Sequence, residues 1–456
     1  MERTIKVNDV ILLMEHYGQD SQSLHTSFKL AGYDLAAVVI EDDGFLPEDV
    51  TSVYGFFLGD FESALDGAGP RYFDEIIIPD YWEISGSNSN GKVQDLSRER
   101  GRIFYAEPKY KRLVKVVDWY DERGVVRFSD HYNRFGAIYA RTIFNEKGKR
   151  VNRSYFSPEG KEMIVENFVT GDIILNEGEE VRIFRTKTEF ILHFFEKAQL
   201  MQKRIFFNSL STPFFVSNRL RAEAGVKKDI LFWQEKVDKE IPGNMQMIFN
   251  GHAARTGVVM VQKKQPYDKL RALGARRDML YRMGFVYPFV KESMHKKEAL
   301  ICTNSDRIEH CRELVEALPQ MRFHIAAFTE MSSKLMGMAD YENVCLYPGL
   351  RADVMDELFD KCDYYFDINH ESEMGSAVKK AFLHNELIFA FNETVHNTDL
   401  VAQEHIYPAK EAAGMIEDIH AVMNNEKAFD AHLQKQKEAA FSESVEKYQK
   451  LGVMER

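Results

Sequence analysis

Two textures of hydrophobic and polar positions alternate along the chain. In the first, the apolar run DVILLMEH (9–16) is followed by Asp20-Ser-Gln-Ser-Leu-His, which offers capping residues for a helix. A β-branched run from Ala36 to Ile40 comes next, before the polar EDDGFLPEDV. That order predicts strand, helix and strand, the opening of an α/β domain. From about residue 66 to 198 the period changes. Gly124, Gly136, Gly148 and Gly160 stand twelve residues apart, closing the turns Asp121-Glu-Arg-Gly, Asn133-Arg-Phe-Gly, Asn145-Glu-Lys-Gly and Ser157-Pro-Glu-Gly. Glycine tolerates the positive φ that tight loops need. The eight-residue runs between them (VVRFSDHY, AIYARTIF, KRVNRSYF) are rich in Val, Ile, Tyr and Phe. At ~3.3 Å per residue they make strands of roughly 26 Å. The spacing predicts an antiparallel β-meander.

From 183 onward the first texture returns. A helix is expected over Thr188–Gln202, strands at Arg204–Phe207, Asp229–Gln234 and GVVMVQ (257–262), and a helix over Tyr267–Arg282. Gly284–Phe289 marks the crossover into a second domain, where Glu298–Thr303 reads as a strand and Asp306–Leu318 as a helix. FHIAAFT, VCLYPG and YYFDINH supply further strands with polar ends, and the Lys/Glu/Gln-rich tail from Glu426 is helical. Asp363 to Asn397 reads as strand, polar loop, helix, strand and polar loop. Such a βαβ unit needs a parallel sheet, whose ligands sit at the carboxyl ends of its strands. The expected architecture is α/β. Residues 1–65 and 199–292 form one Rossmann-like domain, 66–198 an inserted extended antiparallel meander, 293–435 a second Rossmann-like domain and 436–456 a terminal helix or tail.

Composition narrows the function. The chain has 456 residues, 45% of them hydrophobic, and a net charge of −12 with no long basic run. A nucleic-acid partner needs a basic footprint and is excluded. Met1–Asn8 is charged and is followed by only five apolar residues, Val10–Met14, so no secretory signal is expected. No apolar run approaches the ~20 residues that span a bilayer. Cys302, Cys311, Cys345 and Cys362 have no Cys-x-x-Cys spacing, which reads as free thiols in a reducing cytoplasm rather than a zinc site.

The candidate chemistry lies at strand ends. The turn after the first strand, His16-Tyr-Gly-Gln-Asp, has one glycine where a phosphate cradle needs several. In the second domain Asn304, Ser305, Asp306, Asn369, His370, Glu371, Thr394, His396 and Asn397 share the polar ends. A groove of such side chains pairs with a serine/threonine-rich backbone and with sugar hydroxyls; the bland alternative is ordinary loop polarity. His370 and His396 lack a nucleophile and carboxylate arranged around them, so no catalytic residue is assigned, and a metal would need three convergent ligands. On the meander, aromatic and basic residues alternate. Arg127, Tyr132, Tyr139, Arg141 and Tyr155 are the candidate contacts of a protein-docking face. Solvated charges beside an ordinary core are the competing reading.

A family resemblance enters at Glu371–Ala381. Retaining nucleotide-sugar glycosyltransferases with two Rossmann-like domains carry here Glu, seven residues, Glu and a small residue. Glu371 is instead followed eight positions on by Lys379 and Glu373 by Ala381, and with Ala381 as the small residue the ribose carboxylate position holds Lys380. Where active relatives place an Arg and a Lys on the donor pyrophosphate, this chain has Asn304 and, roughly, Glu309, with Arg307 and Arg312 nearby. The unit resembles a donor-binding half without its donor chemistry.

Phe206-Phe-Asn-Ser-Leu, Ile230-Leu-Phe-Trp-Gln-Glu, Pro242-Gly-Asn-Met-Gln, the run Val165–Leu175 and Cys302-Thr-Asn-Ser-Asp carry a closer resemblance. They are similar to the family of non-catalytic, stabilising subunits of the O-GlcNAc transferase that modifies serine-rich-repeat adhesins ahead of accessory Sec export. The resemblance implies a GT-B-like fold, no cofactor, and a complex with the catalytic transferase, two copies of each. It also implies a serine-rich acceptor held in the inter-domain cleft, and a cytoplasmic location with peripheral membrane association left open. The alternatives are an active retaining UDP-sugar transferase using Glu371 or Glu373 with Arg307, and a pure scaffold.

Overall fold

The computed structural model describes residues 10–65, 68–221 and 228–452; the start Met1–Asn8, read above as lacking a signal, lies outside the described residues. The chain divides into two units, 1–261 with 269–281, and 262–268 with 282–456.

In the first unit β1 (Val10–Met14), β2 (Ala36–Val39) and β3 (Val50–Ser52) open a seven-stranded sheet. Ten strands of a separate sheet intervene: β4 (Glu83–Gly86), β5 (Asn90–Asp95), β6 (Arg98–Tyr105), β7 (Val114–Tyr120), β8 (Val126–Tyr132), β9 (Ile138–Phe144), β10 (Arg150–Phe156), β11 (Glu162–Asn167), β12 (Ile173–Glu177) and β13 (Glu180–Phe184). The first sheet is completed by β14 (Arg204–Phe207), β15 (Asp229–Trp233), β16 (Thr256–Val261) and β17 (Leu280–Arg282), in the order β17-β16-β15-β14-β1-β2-β3. Strands β3 to β16 along that order pair in parallel. β2, β14 and β15 are buried at every position, the continuous apolar pattern of a parallel sheet covered on both faces. Phe28 of the helix Gln19–Leu30 covers one face, its ring 5.4 Å from Phe206 and 5.3 Å from Phe232.

The inserted sheet is antiparallel throughout and runs β13 to β4 in sequence order, the expected meander. Its four predicted turns share one geometry. Gly124, Gly136, Gly148 and Gly160 have φ of 75°, 74°, 69° and 78°, and each donates its amide to the residue three before it. Asp121, Asn133 and Asn145 each accept two further amides on Oδ1, which is why Asp or Asn leads the turn.

Cross-strand register shows which face is used. Ala140, Tyr155, Ile164 and Leu175 lie opposite one another and are all buried. Tyr155 stacks on Tyr54 of the helix Val53–Leu58, ring centroids 4.5 Å apart. Lys187 joins the two sheets, 2.5 Å from Glu41 and 2.9 Å from Glu166. Gly44 (φ 82°) passes so close to the meander that a Cβ would fall 2.4 Å from the Tyr132 carbonyl. The sequence reading therefore needs a correction. Tyr132, Tyr139 and Tyr155 are 5%, 5% and 2% exposed, so these rings hold the chain's own core and cannot form an outward face with Arg127 and Arg141. The opposite row, Arg141, Ser154, Val165, Ile174 and Ile183, is half-buried to exposed.

The second unit is built on β18 (Glu298–Cys302), β19 (Arg322–Ala326), β20 (Val344–Tyr347), β21 (Tyr364–Asp367), β22 (Leu387–Phe391) and β23 (Ile406–Tyr407). All pair in parallel, in the order β20-β19-β18-β21-β22-β23, with a core on each face. The helix expected over Asp306–Leu318 is shorter, Cys311–Ala317, because Ile308 bridges Asn369 and His310 just before the helix has a left-handed backbone, φ 47°. The helix Lys264–Ala272 likewise ends before Gly274 (φ 80°) instead of running from Tyr267 to Arg282. All four cysteines are free thiols, three of them buried. No helix among the described residues is long and apolar enough to cross a membrane.

Candidate functional site

In the second sheet the chain builds outward from β18 to β20 and then restarts at β21 on the other side of β18. A strand order that reverses leaves a crevice at the carboxyl ends of the two central strands. β18 ends at Cys302 and β21 at Asp367, so the candidate residues fall at this place.

Thr303 and Asn369 are the centre of the rim. The Thr303 hydroxyl lies 2.6 Å from the Ser305 carbonyl and 3.0 Å from Asn369 Oδ1. The Asn369 amide reaches Asn304 Oδ1 and the Glu371 carbonyl at 3.3 and 3.2 Å. Asn304 in turn donates to the Ser372 carbonyl at 3.0 Å. Arg307, 69% exposed, sits 3.4 Å from Glu371 Oε1. Glu309 lies between two histidines, meeting His370 on Oε2 and His310 on Oε1 at 3.3 Å.

His396 fixes the other wall. Its Nδ1 faces Asp367 Oδ1 at 2.5 Å and its Nε2 faces the Glu371 carbonyl at 2.6 Å. Both partners only accept, so both ring nitrogens donate and the ring is an imidazolium. Burial opposes that charge, but the Asp367 hydrogen bond and charge, with the Glu371 carbonyl and Glu373, push its pKa up to about 9. Thr394 donates beneath it to the Asp367 carbonyl at 2.7 Å.

The structure thus brings Asn304, Ser305, Asn369, Glu371, Thr394 and His396 into one network, with His370 beside it. Asp306 instead accepts from Ser332 at 2.5 Å, and Asn397 caps its own turn by accepting from the Asp399 amide. Sequence reasoning missed Thr303 and Asp367, which organise the rest. A carboxylate ending the buried strand YYFD, with Thr394 and His396 after the next strand, was the available signal.

The positions that the glycosyltransferase resemblance would give to a sugar nucleotide have other partners in this structure. Glu373 caps the helix Ala377–Leu383 by accepting from the Val378 amide at 3.0 Å. Lys380 pairs with Asp356 at 2.6 Å. Among the described residues Glu404, His405 and His432 are the one group with metal-ligand character, away from the rim. His405 Nε2 and His432 Nδ1 meet at 2.7 Å with rings 5° from coplanar, and Lys435 occupies Glu404 at 2.7 Å. Ring nitrogens that face each other head-on make an N–H···N bond, one donating and the other accepting, whereas a tetrahedral ion needs both lone pairs to converge beside the line joining the nitrogens.

Comparison with known proteins is decisive for the family. Models of the GtfB N-terminal, middle and third domains match residues 11–57, 82–185 and 187–273, and the GftB/GlyA-F C-terminal domain matches 299–436. The stabilizing protein GtfB of UDP-N-acetylglucosamine–peptide N-acetylglucosaminyltransferase from Streptococcus agalactiae is 41% identical over 97% of this chain and 98% of its own length. The Streptococcus gordonii protein of the same name is 40% identical over 96% and 97%. The chain belongs to the GtfB family. A chain in a crystal structure of a GtfA/B complex bound to UDP and GlcNAc superposes with a TM-score of 0.91 at 40% identity, covering 97% of this chain and 99% of that one. Accessory secretory protein components from Streptococcus pneumoniae share the fold alone, with a TM-score of 0.60 at 11% identity. The GT-B-like architecture with its meander is therefore that of the GtfB family, and the rim at β18 and β21 lies in the part matched by the GftB/GlyA-F C-terminal domain.

Proposed function

We propose that the chain is the stabilising, non-catalytic subunit of a peptide N-acetylglucosaminyltransferase. It binds a GtfA-like catalytic partner, two copies of each, and holds a serine/threonine-rich acceptor on the rim at β18 and β21. One observation carries the reading. The rim has the location of a donor site, yet its pyrophosphate positions hold Asn304 and Glu309, its second ribose-type carboxylate is Lys379 or Lys380, and Glu373 is spent on a helix cap. What remains exposed are Asn304, Ser372, Glu371 and Arg307, carried on the buried Thr303, Asn369 and Thr394, and these suit a flexible hydroxyl-bearing chain. Such a chain is bound by many weak contacts made in turn. Tethering it beside the partner raises its effective concentration at the transferase site.

The partner docks on the open face of the meander that carries Arg141, Ser154, Val165, Ile174 and Ile183. The acceptor is a serine-rich repeat adhesin modified in the cytoplasm, with the complex peripheral to the membrane, before export by the accessory Sec system. The experiment is a pair of titrations of the full chain, with UDP-GlcNAc and with a serine-rich peptide. Peptide binding without nucleotide-sugar binding or hydrolysis is the expected result. Micromolar UDP-GlcNAc binding would instead make the chain a transferase, and silence toward both a scaffold.

A further inference from the structure

The first unit has a cavity of about 440 Å³ that shares no residue with the rim. It opens beyond the carboxyl ends of β2 and β3, where the loop after β2 and the helix Val53–Leu58 meet the Asn133–Gly136 turn of the meander. Open parallel sheets place ligands at such ends. The lining is acidic: Asp42, Glu48, Asp60 and Glu62 face a single basic residue, Arg134. Its walls are aromatic, with Phe56, Phe61 and Phe135 half-buried around the space. The mouth already holds one cation, the chain's own. The Arg134 guanidinium lies over the Phe135 ring at 4.8 Å and approaches Glu48 and Glu62 at 3.8 Å each, too far for a hydrogen bond. A positive group on an aromatic face between two carboxylates is the setting that an incoming cation needs, and here it is loosely filled.

Charge and shape together select a ligand class. Asp42, in the depth, accepts from the Gly44 amide at 2.7 Å, and burial holds its carboxyl above the usual range, a cost that a positive charge beside it relieves. Asp60 accepts from the Glu62 and Ser63 amides, which leaves its own charge in place. With Asp42 neutral the lining still has three carboxylates against one guanidinium, so a phosphate or nucleotide is repelled. A hard metal ion needs several oxygens converging on one point, and among the described residues no such group lies in this cavity. The volume exceeds one ammonium group and admits an apolar chain. We infer that this cavity binds a linear aliphatic diamine or oligoamine. One ammonium sits by Asp42, the methylenes run along the phenylalanines, and a second ammonium displaces Arg134 from between Glu48 and Glu62. The ligand is unrelated to the acceptor, and neither site needs the other.

The test titrates the full chain by calorimetry with diaminobutane and spermidine, against butylamine as a single cation and butanediol as a neutral chain. The diamine is expected to bind about tenfold more tightly than butylamine, with no binding of the diol and weaker binding in added salt. Phe135→Ala and Glu62→Gln are each expected to weaken the diamine by about threefold or more. Arg134→Gln is expected to strengthen it, because Glu48 and Glu62 lose their resident cation; mere damage to the fold would do the opposite. Thermal melts identify any variant that fails to fold, in which case Glu48→Gln, on an exposed side chain, replaces it. Equal affinity for butylamine and the diamine, diamine affinity unchanged in the folded Phe135 and Glu62 variants, or weaker binding in Arg134→Gln would overturn the pocket.

Discussion

At the scale of single residues, two titratable groups lose stability in the same direction of pH for different reasons, one held charged and one held neutral. The charge on His396 is held by Asp367 and the Glu371 carbonyl, with the pKa raised to about 9. A histidine whose folded pKa is raised gives stability that is fully present below its unfolded value near 6.5 and is lost as pH rises through 9. We expect NMR of the His396 ring to show a single titration near 9. In Asp367→Asn, burial is left unopposed by that carboxylate, and the titration should fall below 6.5. Glu386 reaches the same direction by another route, because its neutral form is the one the fold favours. It is fully buried at the start of β22, both carboxylate oxygens lack a partner, and burial pushes its pKa well up. Lys291 pulls it down, while Asp363 and Asp360 add to the rise. Above the unfolded pKa the unfolded state has released a proton that the folded state retains, so stability falls as pH rises. Glu386→Gln, which cannot ionise, should be more stable than the unaltered chain at pH 8. A gain of about 1–3 kcal/mol is the scale of one relieved buried polar group. Urea unfolding should show that gain shrinking toward zero at pH 4. Neither behaviour was legible in the sequence, because a histidine or glutamate acquires its pKa from neighbours that the fold brings from other strands.

At the scale of elements, the sequence exposes what is local and hides what is paired. The four meander turns could be read in advance because each is closed within five residues: the Asx side chain, the i to i+3 amide and the positive-φ glycine all lie in one segment. Their cost of substitution nonetheless differs. A Cβ at Gly124 meets nothing within 4 Å, so Gly124→Ala should lose only the conformational penalty, about 1 kcal/mol. At Gly136 the same atom would fall 2.7 Å from the Gly69 carbonyl, and Gly136→Ala should cost clearly more. Chemical denaturation of both variants checks the order. The helix expected from Asp306 failed for the opposite reason: helix formers were present, but the bridge between Ile308 and Asn369 recruits those residues to a strand end 61 positions away. The rim depends on that capture. Without it the Asn304–His310 loop would not lie against Asn369, and Glu309 would not meet His370.

At the scale of the whole molecule, the alternation of Tyr and Arg along the meander marked an aromatic-rich sheet without showing which face was free. Side chains on a strand alternate faces, so a face is assigned only when register is known. Register puts Tyr155 against Tyr54 and leaves Arg141, Ser154, Val165, Ile174 and Ile183 in one row on the other side. Ile183 is 60% exposed, as is Val181 on the same edge strand at 63%. Exposed apolar side chains on an edge strand are a liability unless another surface covers them. If the catalytic partner is that cover, Ile183→Glu or Val165→Glu should leave the thermal melt of the isolated chain nearly unchanged. The same changes should weaken the complex by tenfold or more, read by size-exclusion with light scattering and by interferometry. Tyr155→Ala should do the reverse in the first measurement, lowering the melt through loss of a buried aromatic, a change of about 3–5 kcal/mol. The two classes separate a docking face from a core. Charged substitutions on the open row that leave partner affinity intact would move the interface elsewhere, whereas a melt lowered equally by both classes would show that the open row belongs to the chain's own packing.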